Sequence, residues 1–182
     1  MREGLPKAAT GVLFVVLGAV SFLAIWLGPA PVATAGLQER RGGPEQGLAI
    51  VVNRANPVDN LSFSELRKVF LGRRSHWPNG RRIAVAMLDY GQPERETVLE
   101  RIYQMDEIGY RNYFLRGMFR GEVFVSPKTF VSSTVARKFV FNAPGAIGYL
   151  RASDVDESVK VLRIDGHLPQ DRDYILQIDA GR

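Results

Sequence analysis

Ile83-Ala-Val-Ala-Met-Leu88, followed by Asp89-Tyr-Gly-Gln92 and then Pro93, is the stretch on which the fold turns. Six apolar residues in a row, bounded by polar turns, read as a strand buried on both faces, and such strands belong to the interior of parallel sheets. Asp89 to Gln92 is a loop. Pro93 suits the first position of a helix, where its missing N–H is no loss. Beyond it, Val98, Leu99, Ile102 and Tyr103 share one helical face. The unit is strand, loop and helix, the repeating step of an α/β sandwich.

The flanking sequence repeats the step. Leu48-Ala-Ile-Val-Val52 is a short buried strand, and Asn53 to Asn60, with Pro57, is a loop. Ser62-Phe-Ser-Glu65 is a capping box, with Leu61 and Leu66 placed as a hydrophobic staple. The helix that follows buries Leu66, Val69 and Phe70 and stops at Gly72. Trp77-Pro-Asn-Gly80 is a turn. A helix over Glu107 to Met118 carries Tyr110, Phe114 and Met118 in register, and a loop runs through Pro127. Ser132 or Ser133 caps a further helix with Val135, Ala136, Phe139 and Val140 on its face. Ala146 to Leu150 and Val159 to Ile164 are strands, and an extended segment lies around Tyr174 to Leu176. This alternation predicts an α/β fold with a mostly parallel sheet flanked by helices.

The N-terminus reads differently. No side chain from Ala8 to Gln38 is charged, and Gly11 to Leu27 is almost wholly apolar. Arg2 and Lys7 precede it; Pro29, Pro31 and Ala33-Thr34-Ala35 follow. That is the order of a secretory signal, with cleavage after Ala35. The run is also nearly long enough to span a bilayer, so an uncleaved inner-membrane anchor over residues 8–28 is the rival reading. Residues 1–35 are thus a signal peptide or anchor, and residues 36–47, rich in Gly, Gln, Glu and Arg, a linker. Residues 48–182 are left as one domain. Either reading of the leader exports that domain, to the periplasm or an equivalent compartment.

Composition narrows the chemistry. The 182 residues are 46% apolar and 24% charged, as expected of a globular protein. Absence of cysteine excludes disulfides, thiolate metal sites and a cysteine nucleophile. His76 and His167 match no metal-ligand spacing. No nucleophile elbow or paired histidine is present, so the chain reads as a non-enzyme without cofactor or metal. The net charge of +5 suits a small anion or an anionic surface. Export argues against nucleic acid. Arg111, Arg116 and Arg120 run along one helix and form either a basic patch or a solvated face.

Several stretches, in order and spacing, resemble one family. They are Ile50-Val-Val-Asn53 with Asn56-Pro-Val58, Leu61-Ser-Phe-Ser-Glu-Leu66 with Val69-Phe-Leu-Gly72, Trp77-Pro-Asn-Gly80, Pro144-Gly-Ala-Ile-Gly-Tyr149, and Val161-Leu-Arg-Ile-Asp-Gly166. Together they resemble the phosphate-type substrate-binding proteins of ABC transporters, with the type II periplasmic binding protein fold. The match runs from about Leu48 to Leu176 and corresponds to one lobe of that two-lobed fold. The resemblance implies an exported binding protein for phosphate or another small anion, serving an ABC-type uptake system. A second copy or an envelope protein would complete the site. The alternative is an interaction module of the same fold whose ligand site has decayed.

The resemblance also implies where the anion goes. The family's loop after this strand is a glycine-serine-glycine-threonine run opening a helix, where free amides and a hydroxyl hold an oxyanion. Here the stretch reads Gly91-Gln-Pro-Glu-Arg95. Gly91 and Arg95 suit the task, Gln92 stands in for the hydroxyl, Pro93 has no amide to offer, and Glu94 brings a negative charge. Ser132-Ser-Thr134 is the other hydroxyl-rich helix start, either an anion site or an N-cap. The candidate ligand residues are Gly91, Gln92, Arg95, Ser132, Ser133 and Thr134.

Overall fold

The computed structural model describes residues 47–178. The signal or anchor segment, including residues 8–28, and all of the linker except Gly47 lie outside the described residues. Among the described residues no helix is long and apolar enough to cross a membrane.

The elements are β1 (Leu48–Asn53), β2 (Asn60–Leu61), α1 (Phe63–Phe70), β3 (Ala84–Leu88) and α2 (Pro93–Val98), which runs directly into a π-helical turn (Leu99–Tyr103). They continue with α3 (Glu107–Arg120), β4 (Lys128–Phe130), α4 (Ser133–Asn142), β5 (Ala146–Arg151), β6 (Val159–Val161) and β7 (Arg163–Ile164). Five strands form one sheet in the order β4-β3-β5-β1-β6, and β2 pairs with β7. β3 is parallel to β4 and β5, while β1 runs antiparallel to β5 and β6. Four of the five strands therefore point one way, with β1 set against them. The expected α/β fold with a mainly parallel, helix-flanked sheet is what forms.

Strand alternation builds the layers. In β1, Leu48, Ile50 and Val52 face one core, shared with Leu66 and Phe70 of α1, Ile102 of the π turn and Phe114 of α3. Ala49 and Val51 face the other core, against Val140 of α4. Side chains that alternate between two covered faces give a sheet sandwiched between helix layers. The helix starts are as local chemistry dictates. Ser62 and Glu65 close the capping box on α1, and Pro93 opens α2.

Five details depart from the expectation. Val135, expected on the inner face of α4, is exposed, and only Ala136 and Val140 of that helix are buried. Val159 to Ile164 is not one strand: Leu162 is buried between β6 and β7, and its amide donates to Ile50 O while the halves pair in different sheets. Lys128–Phe130, expected as loop, adds an edge strand too short and polar to show an alternating pattern. Asn60, expected in the loop before α1, begins β2. Met118 is exposed, because the inward line of α3 runs from half-buried Tyr110 through buried Phe114 and Gly117 and turns away from it.

Buried phenols tie the layers together. Tyr103 Oη donates to Phe70 O at 3.0 Å, Tyr174 Oη donates to Leu48 O at 2.8 Å, and Leu88 N donates to Tyr149 Oη at 2.9 Å. Burial raises the pKa of all three, and pushes Tyr110 from its ordinary 10.0 up to about 12. Folded-state values above the unfolded ones mean stability that is complete below pH 10 and lost as pH rises toward the folded values. Each such phenol contributes a slope of about 1.4 kcal/mol per pH unit in that window. Denaturant titrations should therefore give constant stability between neutral pH and pH 9, then a steep loss above pH 10. A flat profile through pH 11 would contradict this packing.

Candidate functional site

β3 ends at Leu88, and the chain turns through Asp89-Tyr-Gly-Gln92 into α2. Gly91 has φ +81° with open space where a Cβ would be, so the turn itself requires glycine. Beside this turn lies an open cleft of about 360 Å³. Asp89 and Tyr90 from the β3 exit form one wall. Glu107, Tyr110, Arg111 and Phe114 from α3 form a second, and Ser126, Pro127 and Thr129 around β4 the third. The cleft thus sits outside the carboxyl end of β3, where α/β sheets place their ligand sites, and extends along the edge strand β4 to the residues that precede it.

Arg95 is its buried base. Nη1 donates to Leu88 O at 2.7 Å, and Nε and Nη2 donate to the two Glu107 carboxylate oxygens at 2.5 and 2.9 Å. The guanidinium carbon lies 5.0 Å from the Tyr110 ring centroid. This planar fork fastens α2 to α3 and to the end of β3. The hydrogen bond to Glu107 raises the Arg95 pKa further. Glu107 is thereby neutralised locally. Arg111 is exposed on the cleft wall, and among the described residues it enters no ion pair. The Tyr110 phenol, with its pKa pushed up chiefly by burial, stays protonated at neutral pH. Exposed Ser126 and Thr129 offer hydroxyls.

Of the residues anticipated from sequence, Arg95 lines the cleft. Gly91 and Gln92 form the adjoining turn but are not among its lining residues. Gln92 is the N-cap of α2 without a side-chain cap bond. Ser132, Ser133 and Thr134 are not brought to the cleft. They open α4, with Ser132 Oγ accepting from Val135 N at 3.4 Å. Glu94, expected to put its charge in the loop, instead turns away and pairs with Arg151 at the end of β5. Ser126 and Thr129 were hidden in what read as loop, and Arg111 read only as part of a basic patch. Among the described residues no cluster of His, Cys, Asp and Glu could hold a metal ion.

No family model matches the chain. It is 30% identical over 125 residues to the phosphate-binding protein PstS of Bacillus subtilis (strain 168), an alignment covering 68% of this chain and 38% of that protein. The chain is a short relative of the phosphate-type substrate-binding proteins. The fold agrees. An ABC-type phosphate transport receptor from Vibrio cholerae superimposes with a TM-score of 0.57 at 24% identity, covering 68% of this chain and 48% of that one. A protein from Clostridium perfringens, of the phosphate ABC transporter substrate-binding type and solved with bound phosphate, gives 0.56 at 22% identity, covering 68% and 47%. The chain thus spans less than half the length of these relatives, in keeping with a single lobe.

Proposed function

We propose that the domain binds a small oxyanion, phosphate foremost, in the open cleft at the carboxyl end of β3 beside β4, and delivers it to an ABC-type uptake system. The domain acts outside the cytoplasmic membrane, exported by residues 1–35 and either released to the periplasm or held by residues 8–28. The observation that carries the reading is the position and chemistry of the cleft in a lobe related to phosphate-binding proteins. Arg111 is an uncommitted cation there, set against Asp89 on the facing wall; the Arg95–Glu107 pair beneath is compensated within itself, and Ser126, Thr129 and Tyr110 supply neutral donors. One side of the cleft is open, so a second copy or an envelope protein completes the enclosure. The groups present bind and orient; no nucleophile–base pair is among them, which fits a binding protein rather than an enzyme.

Calorimetric titration with phosphate, and with sulfate for comparison, tests this. Saturable phosphate binding is expected, with Arg111→Gln weakening it by about 1.5–3 kcal/mol, the range for a hydrogen bond to a charged group. Ser132→Ala should leave it unchanged. No heat at millimolar phosphate, in the presence and absence of a dimerising fusion, would overturn the proposal.

A further inference from the structure

α3 is apolar on two sides. Its inner line, Tyr110, Phe114 and Gly117, packs on the core. On the opposite side Ile108, Leu115 and Phe119 recur at intervals of seven and four residues, so they form one stripe along the outer face. That stripe is uncovered: Ile108 is 67% exposed, Leu115 56% and Phe119 86%. An outward-facing apolar stripe is not what a solvated helix carries, and large exposed apolar patches mark docking surfaces.

The surroundings of the stripe decide the occupant. Arg111 borders it on one flank, Arg116 and Arg120 on the other. All three are exposed, and among the described residues none enters an ion pair. Arg116 and Arg120 also line a groove of about 430 Å³ that runs beside α3. One acidic residue, Glu122, lines that groove with them. An apolar ridge flanked by arginines, with a cationic groove at its side, complements a surface that is apolar beneath and anionic at its face. We infer that the outer face of α3 docks on an anionic phospholipid bilayer, with Ile108, Leu115 and Phe119 in the headgroup–acyl boundary and Arg116 and Arg120 on lipid phosphates. This is the arrangement of an interfacial amphipathic helix, here presented by a folded domain. It is independent of anion binding in the cleft.

The test exploits the absence of cysteine from the chain. A single Cys is introduced as Phe119→Cys in the full chain and labelled with an environment-sensitive NBD fluorophore. Lys138→Cys, exposed on α4 in the opposite helix layer, is the control. Vesicles of phosphatidylcholine alone are compared with vesicles containing about 30 mol % phosphatidylglycerol, a level that gives a negative surface potential. The apolar N-terminal segment can enter both kinds of vesicle, so only the difference between label positions and between lipids is read.

Expected is a blue shift with at least about twofold brighter emission from position 119 on anionic vesicles, and little change from position 138. Arg116→Gln/Arg120→Gln should weaken this response by roughly an order of magnitude or more, at about fivefold per charge. The same pair of changes should leave phosphate calorimetry unaltered, which separates this surface from the cleft. Emission from 119 that matches buffer on both vesicle types overturns the inference. Equal burial on neutral and anionic lipid also overturns it. Protection of 119 without lipid, growing with protein concentration, assigns the stripe to a second copy and overturns it as well.

Discussion

Gly145→Ala should lower stability by about 3 kcal/mol or more, and the melting temperature by on the order of 10 °C. The reason is contact between two stretches of main chain. A Cβ at position 145 would lie 2.0 Å from the carbonyl oxygen of Arg82. Neither partner is a flexible side chain that could swing aside. The Gly145 carbonyl also accepts from Ala84 N at 3.1 Å and from Trp77 Nε1 at 2.9 Å. Moving the backbone to make room would loosen the start of the β3–β5 pairing and the indole that covers it. Gly121→Ala is the comparison, since its φ of +69° is strained for alanine but open space surrounds it. That change should cost only about 1–2 kcal/mol. Equal thermal shifts for the two variants, measured by calorimetry, would show that the close approach at Gly145 is not what requires glycine there.

Arg95→Ala is the second large effect. It removes both hydrogen bonds to Glu107, leaves the carbonyl of Leu88 without its donor, and takes the cation away from the Tyr110 ring. Breaking a largely buried ion pair from one side leaves a charge without compensation, at a cost of about 3–5 kcal/mol. The double change Arg95→Leu/Glu107→Leu should recover a large part of that loss, because no charge remains alone and the site gains apolar packing. Urea titrations of the single and double variants check this. If the double variant is as unstable as the sum of two single changes, the fork is not acting as a coupled unit. The single variant should also bind phosphate poorly through displacement of α3, so stability and affinity have to be measured on the same preparation.

Much of the fold was legible from residues 48–70 and 83–103. There the short-range signals agree with the packing: an unbroken apolar run for β3, a capping box and staple for α1, and a proline at the start of α2. What escaped was set by long-range pairing. β4 and β2 have two or three residues each and exist because a neighbouring strand is there to pair with. The break at Leu162 arises because β1 and β2 diverge and each takes half of a continuous apolar segment. The orientation of β1 was likewise invisible, since a buried strand has the same composition whichever way it runs. The cleft was legible in part. Its turn and Arg95 could be found because they follow a strong strand, whereas Ser126 and Thr129 come from an edge with no local pattern. Glu94 misled because its partner, Arg151, is 57 residues away.

β1 is the one strand that runs against the rest of its sheet, and this has a consequence for how such a module can travel between proteins. Leu48 N donates to Leu176 O at 2.8 Å, Gly47 bridges Gln177, and the Tyr174 hydroxyl reaches Leu48 O. The chain therefore arrives and departs through adjacent backbone positions, like the two legs of a hairpin. A unit built this way can be spliced into a surface loop of a host, or excised from one, without pulling either partner apart. Its neighbour in a larger protein needs only two nearby attachment points.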